Sequence, residues 1–379
     1  MKNRIFFPNL DGLRFIAFFL VFWQHATPGL FLLLKNKGLF DDSQARFFMT
    51  GGIGVSFFFV LSGFLITFLL LREREETGKI DIKAFYARRI LRIFPLYYLV
   101  VFWGFAIYPL IRVLLKFEPI DNGNFLIYFF FLGNFDVIYA AIERSSFIAI
   151  TWSVGIEEQF YIFWALLFLL LPKRLYKYIF PIIIIGSSIF RLLNENNEKI
   201  LYFHTLSVVS DLAIGGGMAY LAINRPGFIN FIASLKKRVI ALIYGFGFTL
   251  IWFYPSIFWL DTSNALYRIC TGLFFAFVIA EQNYAANSFF KMGNLKIVSK
   301  LGIYTYGLYL LHPIALYFME ILLKGLHLEE DGIAYIAANG VIGLILSILI
   351  SYISYKFYES KFLRLKKYFN PKEKILIKS

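Results

Sequence analysis

The sequence predicts an all-α polytopic membrane protein, with about ten transmembrane helices plus one re-entrant or interfacial segment and both termini cytoplasmic. Three observations carry this reading. Of the 379 residues, 59% are hydrophobic and only 16% are charged, against about a quarter charged in an ordinary soluble domain. Apolar runs near the ~20 residues needed to cross a ~30 Å hydrocarbon core recur along the chain. The lysines and arginines behind the net charge of +14 gather between alternate runs and at the C-terminus, as cytoplasmic loops do. The same composition excludes other classes. No soluble module is left to turn the basic balance toward nucleic acid. The single cysteine, Cys270, permits neither a disulfide framework nor a thiolate zinc site. One integral-membrane domain is expected over 1–379, with a short basic tail from about 356 and no soluble extension.

Residues 1–9 are short and basic (Lys2, Arg4), which puts the N-terminus in the cytoplasm. The apolar run 10–34 sits where a signal peptide would. It is too long for one, contains Arg14 and has no small-residue cleavage site before Thr27, so it reads as a retained spanning helix. It should end or kink near Thr27, because Pro28 disfavours helix at the residue before it. An outer loop follows over 35–50, and a second crossing covers 51–71. The stretch 72–93 carries Arg72, Arg74, Lys79, Lys83, Arg88, Arg89 and Arg92 and reads as an inner loop. The third crossing covers 94–116, with Pro95 in its first turn, where a missing N–H is tolerated.

The run 124–142 is apolar but interrupted by Gly133, Asn134 and Asp136. The next helix, 155–171, ends inside on Pro172-Lys173-Arg174, so only one crossing fits between the basic loop and Trp152. The run 124–142 is therefore read as re-entrant or interfacial, with its irregular backbone shielded by protein. Crossings at 178–193, 204–223, 239–259, 266–280, 301–323 and 333–355 then alternate between polar outer loops and basic inner ones. The tail 356–379 holds eight Lys or Arg and two Glu, as a cytoplasmic tail should.

Ionisable groups inside such runs are costly and mark pathways or reaction centres. Arg14 and His25 are eleven positions apart. That spacing puts them on one helix face, about 16 Å apart along the axis. A neutral histidine is a natural general base for a hydroxyl. Arg14 can hold an anion or pair locally with Asp11 at i−3. The plainer reading of the two is a snorkelling arginine and a histidine at headgroup level.

Arg89 and Arg92, three apart, share a face, and guanidinium forks suit phosphate oxygens. Their position is equally explained by the positive-inside bias and contact with anionic membrane lipids. The block from Trp152 to Tyr161 sends Glu157, Glu158 and Gln159 into an apolar helix. Its carboxylates either complement the helix dipole behind Ser153 as cap, or Glu157 orients His25 or binds substrate hydroxyls beside aromatic faces. His312, deep in a crossing near Tyr304, Tyr306 and Tyr309, is expected to have a function or a satisfied polar contact. Asp211 needs a partner that the sequence does not name. The four histidines lack HExxH spacing and no glycine-rich phosphate loop precedes a lysine, so neither metal catalysis nor ATP-driven transport is expected.

Together these residues resemble the membrane-bound acyltransferase-3 family, which acylates cell-surface glycans. Leu10-Asp11-Gly12-Leu13-Arg14 with His25 is similar to its arginine, ten residues, histidine signature. Phe58-Phe59-Val60-Leu61-Ser62-Gly63-Phe64 resembles its second-helix motif, and Arg89 with Arg92 its RxxR motif. Trp152-Ser153 through Glu157-Glu158-Gln159-Phe160-Tyr161 resembles its tryptophan-serine-glutamate block, and Tyr306-Gly307-Leu308-Tyr309-Leu310-Leu311-His312 its late helix. Thr305 stands where serine is usual, and Tyr358-Glu359-Ser360-Lys361 lacks the proline that often follows the glutamate.

The resemblance implies a multi-pass enzyme of the bacterial inner membrane. It would move an acyl group, most often acetyl, from cytoplasmic acyl-CoA to a glycan hydroxyl at the outer side, with no bound cofactor and no metal. In this chain it implies His25 and Glu157 as catalytic and Arg14, Arg89 and Arg92 as acyl-CoA-binding. Asp11, Ser62, Trp152, Ser153, Glu158, Tyr161 and His312 would support substrate or structure. Some members continue into a soluble esterase-like domain; this chain is expected to act alone or to hand acyl groups to separate glycan-assembly proteins. A transporter or flippase for a lipid-linked sugar, and a subunit of a glycan-assembly complex without activity, are the competing readings. The spacing of Arg14 and His25 favours the enzyme.

Overall fold

A computed structural model describes residues 7–39, 51–118, 120–257, 263–328 and 332–369. The basic residues Lys2 and Arg4, residues 40–50 of the expected outer loop, Asp261, Glu329, Glu330 and Asp331, and the residues beyond 369 lie outside the described residues. Among the described residues all regular structure is helical, with no strand. Eight helices there are long and apolar enough to cross a membrane, nine if the bent N-terminal pair counts as one span. The chain is a multi-pass membrane protein on these lengths and compositions. The expected crossing 239–259 coincides with a further helix, Lys237–Ile257, that runs up to the limit of the described residues.

Helix α1 (Pro8–Ala26) and α2 (Pro28–Asn36) meet at a 63° bend. The break falls at Thr27, as the following proline requires, and the Thr27 hydroxyl donates to the carbonyl of Trp23 at 2.7 Å. Helix α3 (Gly51–Thr77) and α4 (Ile82–Phe102) are longer than expected. The basic stretch 72–93 is not an inner loop: only residues 78–81 separate the two helices. Asp81 caps α4, its carboxylate accepting from the backbone N–H of Ala84 at 2.9 Å. Lys, Arg and Ala are strong helix formers, so Arg88, Arg89 and Arg92 ride on α4 itself. Pro95 is then interior to the helix rather than in its first turn. The helix continues through a widened turn (Trp103–Ile107) into α5 (Tyr108–Leu114).

The run 124–142 forms two short helices, α6 (Phe125–Phe129) and α7 (Gly133–Tyr139), each far below the ~20 residues of a crossing. The polar side chains that interrupt it, Asn134 and Asp136, are bonded to protein. Asn134 is fully buried, donates to the carbonyl of Phe203 at 3.1 Å and accepts from the Gln159 amide at 2.9 Å. Arg144 grips Asp136 through two nitrogens, at 2.7 and 3.1 Å, and Asp121 at 2.9 Å. Bonding to the N–H of Gly123 and to Arg144 holds the Asp121 carboxyl below its usual range.

A four-residue turn, α8 (Ser146–Ala149), leads into α9 (Trp152–Leu170), α10 (Tyr176–Leu193), α11 (Glu198–Phe203) and α12 (Thr205–Asn224). Then come α13 (Pro226–Ser234), α14 (Lys237–Ile257), α15 (Ser263–Tyr284), α16 (Lys296–Gly302), α17 (Thr305–Gly325), α18 (Ile333–Ser354) and α19 (Ser360–Leu365). Helices α3 and α12 touch backbone to backbone. A Cβ on Gly63 would lie 1.9 Å from the carbonyl oxygen of Leu212, and one on Gly215 would lie 1.8 Å from that of Val60. Small residues permit this approach where water exclusion gives no drive between helices. Across α12 and α15, Asp211 finds the partner its sequence position demands: Arg268 donates to it at 2.6 Å.

Gly215→Leu should force α3 and α12 apart. We expect a loss of at least about 1–3 kcal/mol, read as a fall in the unfolding temperature of the detergent-solubilised protein, while Gly245→Ala, at a glycine with nothing within 4 Å of an added Cβ, should leave it unchanged.

Candidate active site

Helices α1, α3, α4, α9 and α17, with Gly302 at the end of α16, surround one cavity of about 130 Å³ whose largely apolar wall carries several charged and polar side chains. Its charged lining residues are Arg14, Arg89, Arg92 and Glu157, joined by Ser62, Ser153, Tyr161, Thr305, Tyr306 and Tyr309. Three guanidiniums against one carboxylate make a site for an anion.

Each side chain is placed by its helix. Asp11 and Arg14, one turn apart on α1, form an ion pair at 2.5 Å, so the local-pair reading of Arg14 and its place in the cavity hold together. Gly302 lets α16 approach closely, since a Cβ there would lie 1.9 Å from the carbonyl oxygen of Asp11. On α4, Arg89 and Arg92 share the cavity face. The Arg89 guanidinium lies 5.7 Å from the Tyr161 ring centroid and 5.9 Å from that of Phe85, a cation–π arrangement, and its buried Nε has no hydrogen-bond partner among the described residues. Tyr306 donates to the carbonyl of Ile93 at 2.7 Å and Tyr358 to that of Pro95 at 3.1 Å. These bonds tie the interior of α4, beside its proline, to the C-terminal helices.

Glu157 is fully engaged. Ser62 donates to its Oε1 and Tyr161 to its Oε2, each at 2.8 Å. The Gly63 contact with α12 sets the rotation of α3 that turns Ser62 toward α9. Ser153 and Tyr309 share a hydrogen bond at 2.7 Å across α9 and α17. Glu158 points elsewhere: it is buried, and its Oε1 has no partner among the described residues. Trp152 packs edge-on against Phe59 and Phe203 and lies 5.3 Å from the ring of Tyr202. It is a buried aromatic wedge rather than an open stacking face.

His25 is bonded to His312, not to Glu157: Nδ1 of His25 lies 2.8 Å from Nε2 of His312. The alternative in which Glu157 orients His25 is corrected here: the Glu157 oxygens accept from Ser62 and Tyr161, and neither bonds to His25. The structure thus gathers Arg14, Arg89, Arg92, Ser62, Ser153, Glu157 and Tyr161 in one cavity and sets the histidine pair apart, linked to it through α1 and through Tyr309 on α17. Thr305 and Tyr306, which the sequence marks only as part of the late-helix motif and not as site residues, also line the cavity. They are neutral residues in an apolar helix, and only its packing turns them inward. Among the described residues no group of three His, Cys, Asp or Glu could hold a metal ion.

An acyltransferase-domain family model matches residues 7–355, and the chain belongs to this membrane-bound acyltransferase-3 family. Curated relatives carry matching names. A provisionally named O-acetyltransferase of Staphylococcus aureus (strain COL) is 29% identical over 395 residues, covering 95% of this chain and 58% of its own length. The O-acetyltransferase OatA of Staphylococcus aureus (strain NCTC 8325 / PS 47) is 26% identical over the same coverage of both chains. The peptidoglycan O-acetyltransferase OatA of Listeria monocytogenes serovar 1/2a is 26% identical over 332 residues, 82% of this chain and 49% of its own. The chain therefore spans about half to three-fifths of the length of these relatives. No solved structure matches it. Membership in an acyltransferase family leaves the transporter or flippase reading without support.

Glu157→Ala would leave the buried Tyr161 hydroxyl and the half-buried Ser62 hydroxyl without their acceptor. We expect a loss of about 1–3 kcal/mol per orphaned group, measured by thermal unfolding, and a smaller loss for Glu157→Gln, which keeps one acceptor oxygen.

Proposed function

We propose that the chain transfers an acetyl group from cytoplasmic acetyl-CoA to a hydroxyl of a cell-surface or lipid-linked glycan at the outer side of a bacterial cytoplasmic membrane. The observation that carries this is the cavity in which Arg14, Arg89 and Arg92 converge, within a family whose relatives are named O-acetyltransferases. In this reading ten crossings leave both termini inside, and the arginines on α4 face the cytoplasm. They receive the donor's phosphates, for which planar guanidinium forks are suited.

The chemistry follows from the residue types. A neutral His25 takes the proton of the acceptor hydroxyl as that oxygen attacks the thioester carbonyl. The tetrahedral intermediate expels the CoA thiolate, which recovers the proton from His25, leaving an acetyl ester and free CoA. Glu157, held by Ser62 and Tyr161, orders the cavity wall beside the reacting groups and places a fixed negative charge opposite the arginines. The acceptor is a glycan by analogy with the relatives' names, peptidoglycan among them. Separate glycan-assembly proteins supply it or take over the product.

The test is NMR of the surface glycan from a deletion strain complemented with variants. Wild type should restore the acetyl signals and His25→Ala should not. Acetyl signals that persist in the deletion strain, or full rescue by His25→Ala, would overturn the reading. In membranes, Arg89→Ala and Arg92→Ala should each raise the KM for acetyl-CoA by about tenfold or more, the loss of one charge-assisted contact of ~1.5–3 kcal/mol. An unchanged KM would return these arginines to a purely topological role.

A further inference from the structure

The positions of the protons on the two paired histidines follow from their hydrogen bonds. His312 is fully buried in α17, and its Nδ1 lies 3.0 Å from the carbonyl oxygen of Leu308. A carbonyl only accepts, so this nitrogen carries the ring proton. In the neutral ring Nε2 is then bare and accepts. It faces Nδ1 of His25 at 2.8 Å, which is therefore the donor. Neutral His25 thus holds its one proton on Nδ1 and keeps its lone pair on Nε2, the nitrogen pointing away from His312. The two ring planes lie within 13° of each other. Phe18, Phe22 and Tyr309 flank His312 with ring centroids at 5.7, 6.1 and 6.3 Å, which leaves its ring little freedom to turn.

We propose that His312 is a positioning residue that fixes the tautomer and direction of His25, through a relay that starts at the Leu308 carbonyl and leaves Nε2 of His25 as the base. The proposal rests on the reading of His25 as general base. In the proton-transfer step the hydroxyl proton passes to His25 Nε2 and the ring becomes a cation, while its Nδ1–H keeps donating to His312. No bond to hydrogen breaks at His312. In serine hydrolases a buried carboxylate sets the tautomer of the base histidine; here a neutral imidazole backed by a backbone carbonyl does so without adding a charge to the bundle.

The test uses the full chain in lipid. Solid-state ¹⁵N NMR of histidine-labelled protein, with the His25 signal assigned by its loss in His25→Ala, reads the tautomer. The expected result is a protonated Nδ1 and a bare Nε2. Acetyl transfer from labelled acetyl-CoA to the glycan in membranes of a deletion strain reads the function. His312→Leu should lower kcat about 10²-fold, the scale of general-base assistance, with the KM for acetyl-CoA unchanged. His312→Gln, whose amide oxygen can stand near the lost Nε2 and accept from His25, should recover most of that loss. A protonated Nε2 on wild-type His25, or equal losses in the Leu and Gln variants, would overturn the proposal. If His312→Leu does not fold, the wild-type tautomer and the Gln variant decide. Full activity in His25→Ala would instead remove the general-base reading, whatever the His312 variants do.

Discussion

Three guanidiniums inside an apolar helix bundle are the constraint on which the rest of this structure depends. A charge taken even partly out of water costs free energy unless it is compensated, so a bundle that gathers the half-buried Arg14, Arg89 and Arg92 has to be arranged around them. Compensation is partial by design of the packing. Arg14 has Asp11 one turn away, and Arg89 lies against aromatic rings. The single carboxylate lining the cavity, Glu157, has both oxygens occupied by hydroxyl donors. The cavity lining therefore keeps a surplus of positive charge.

The remaining architecture reads as support for that arrangement. Backbone contact at Gly63 and Gly215 fixes α3 on α12 and so presents Ser62 to Glu157. Tyrosines from the C-terminal helices hold α4 at the level of Ile93 and Pro95. The Asp211–Arg268 pair joins α12 to α15 on the other flank. The histidine pair sits on α1 and α17, the two helices that also contribute Arg14 and Tyr309 to the cavity. The cavity and the histidine pair therefore share a scaffold without sharing a hydrogen bond.

Much of this was legible in the sequence, for identifiable reasons. Hydropathy found the helices because apolar length is a direct physical requirement of the bilayer, and the Thr27 break followed from Pro28. Charged residues inside apolar helices pointed to the cavity because their cost demands a use. Helix ends were less legible. Arg88, Arg89 and Arg92 read as loop residues, since charge marks the membrane boundary but does not stop a helix. Partners were least legible. The contacts His25–His312, Ser62–Glu157 and Asp211–Arg268 join residues far apart in sequence, and one helix periodicity says nothing about the face another helix presents. Glu157 and His25 both lie toward one side in the sequence reading, which makes a contact one alternative; helix rotation turns Glu157 to Ser62 and Tyr161 instead.

The central claim is that a donor held by the arginines on one side serves a hydroxyl on the other. Sealed, inverted membrane vesicles test it directly, with labelled acetyl-CoA added only to the exposed cytoplasmic face. Label should appear on glycan enclosed in the lumen and be lost in Arg89→Ala and His25→Ala vesicles. Label that forms only when acetyl-CoA is admitted to the lumen would contradict the claim.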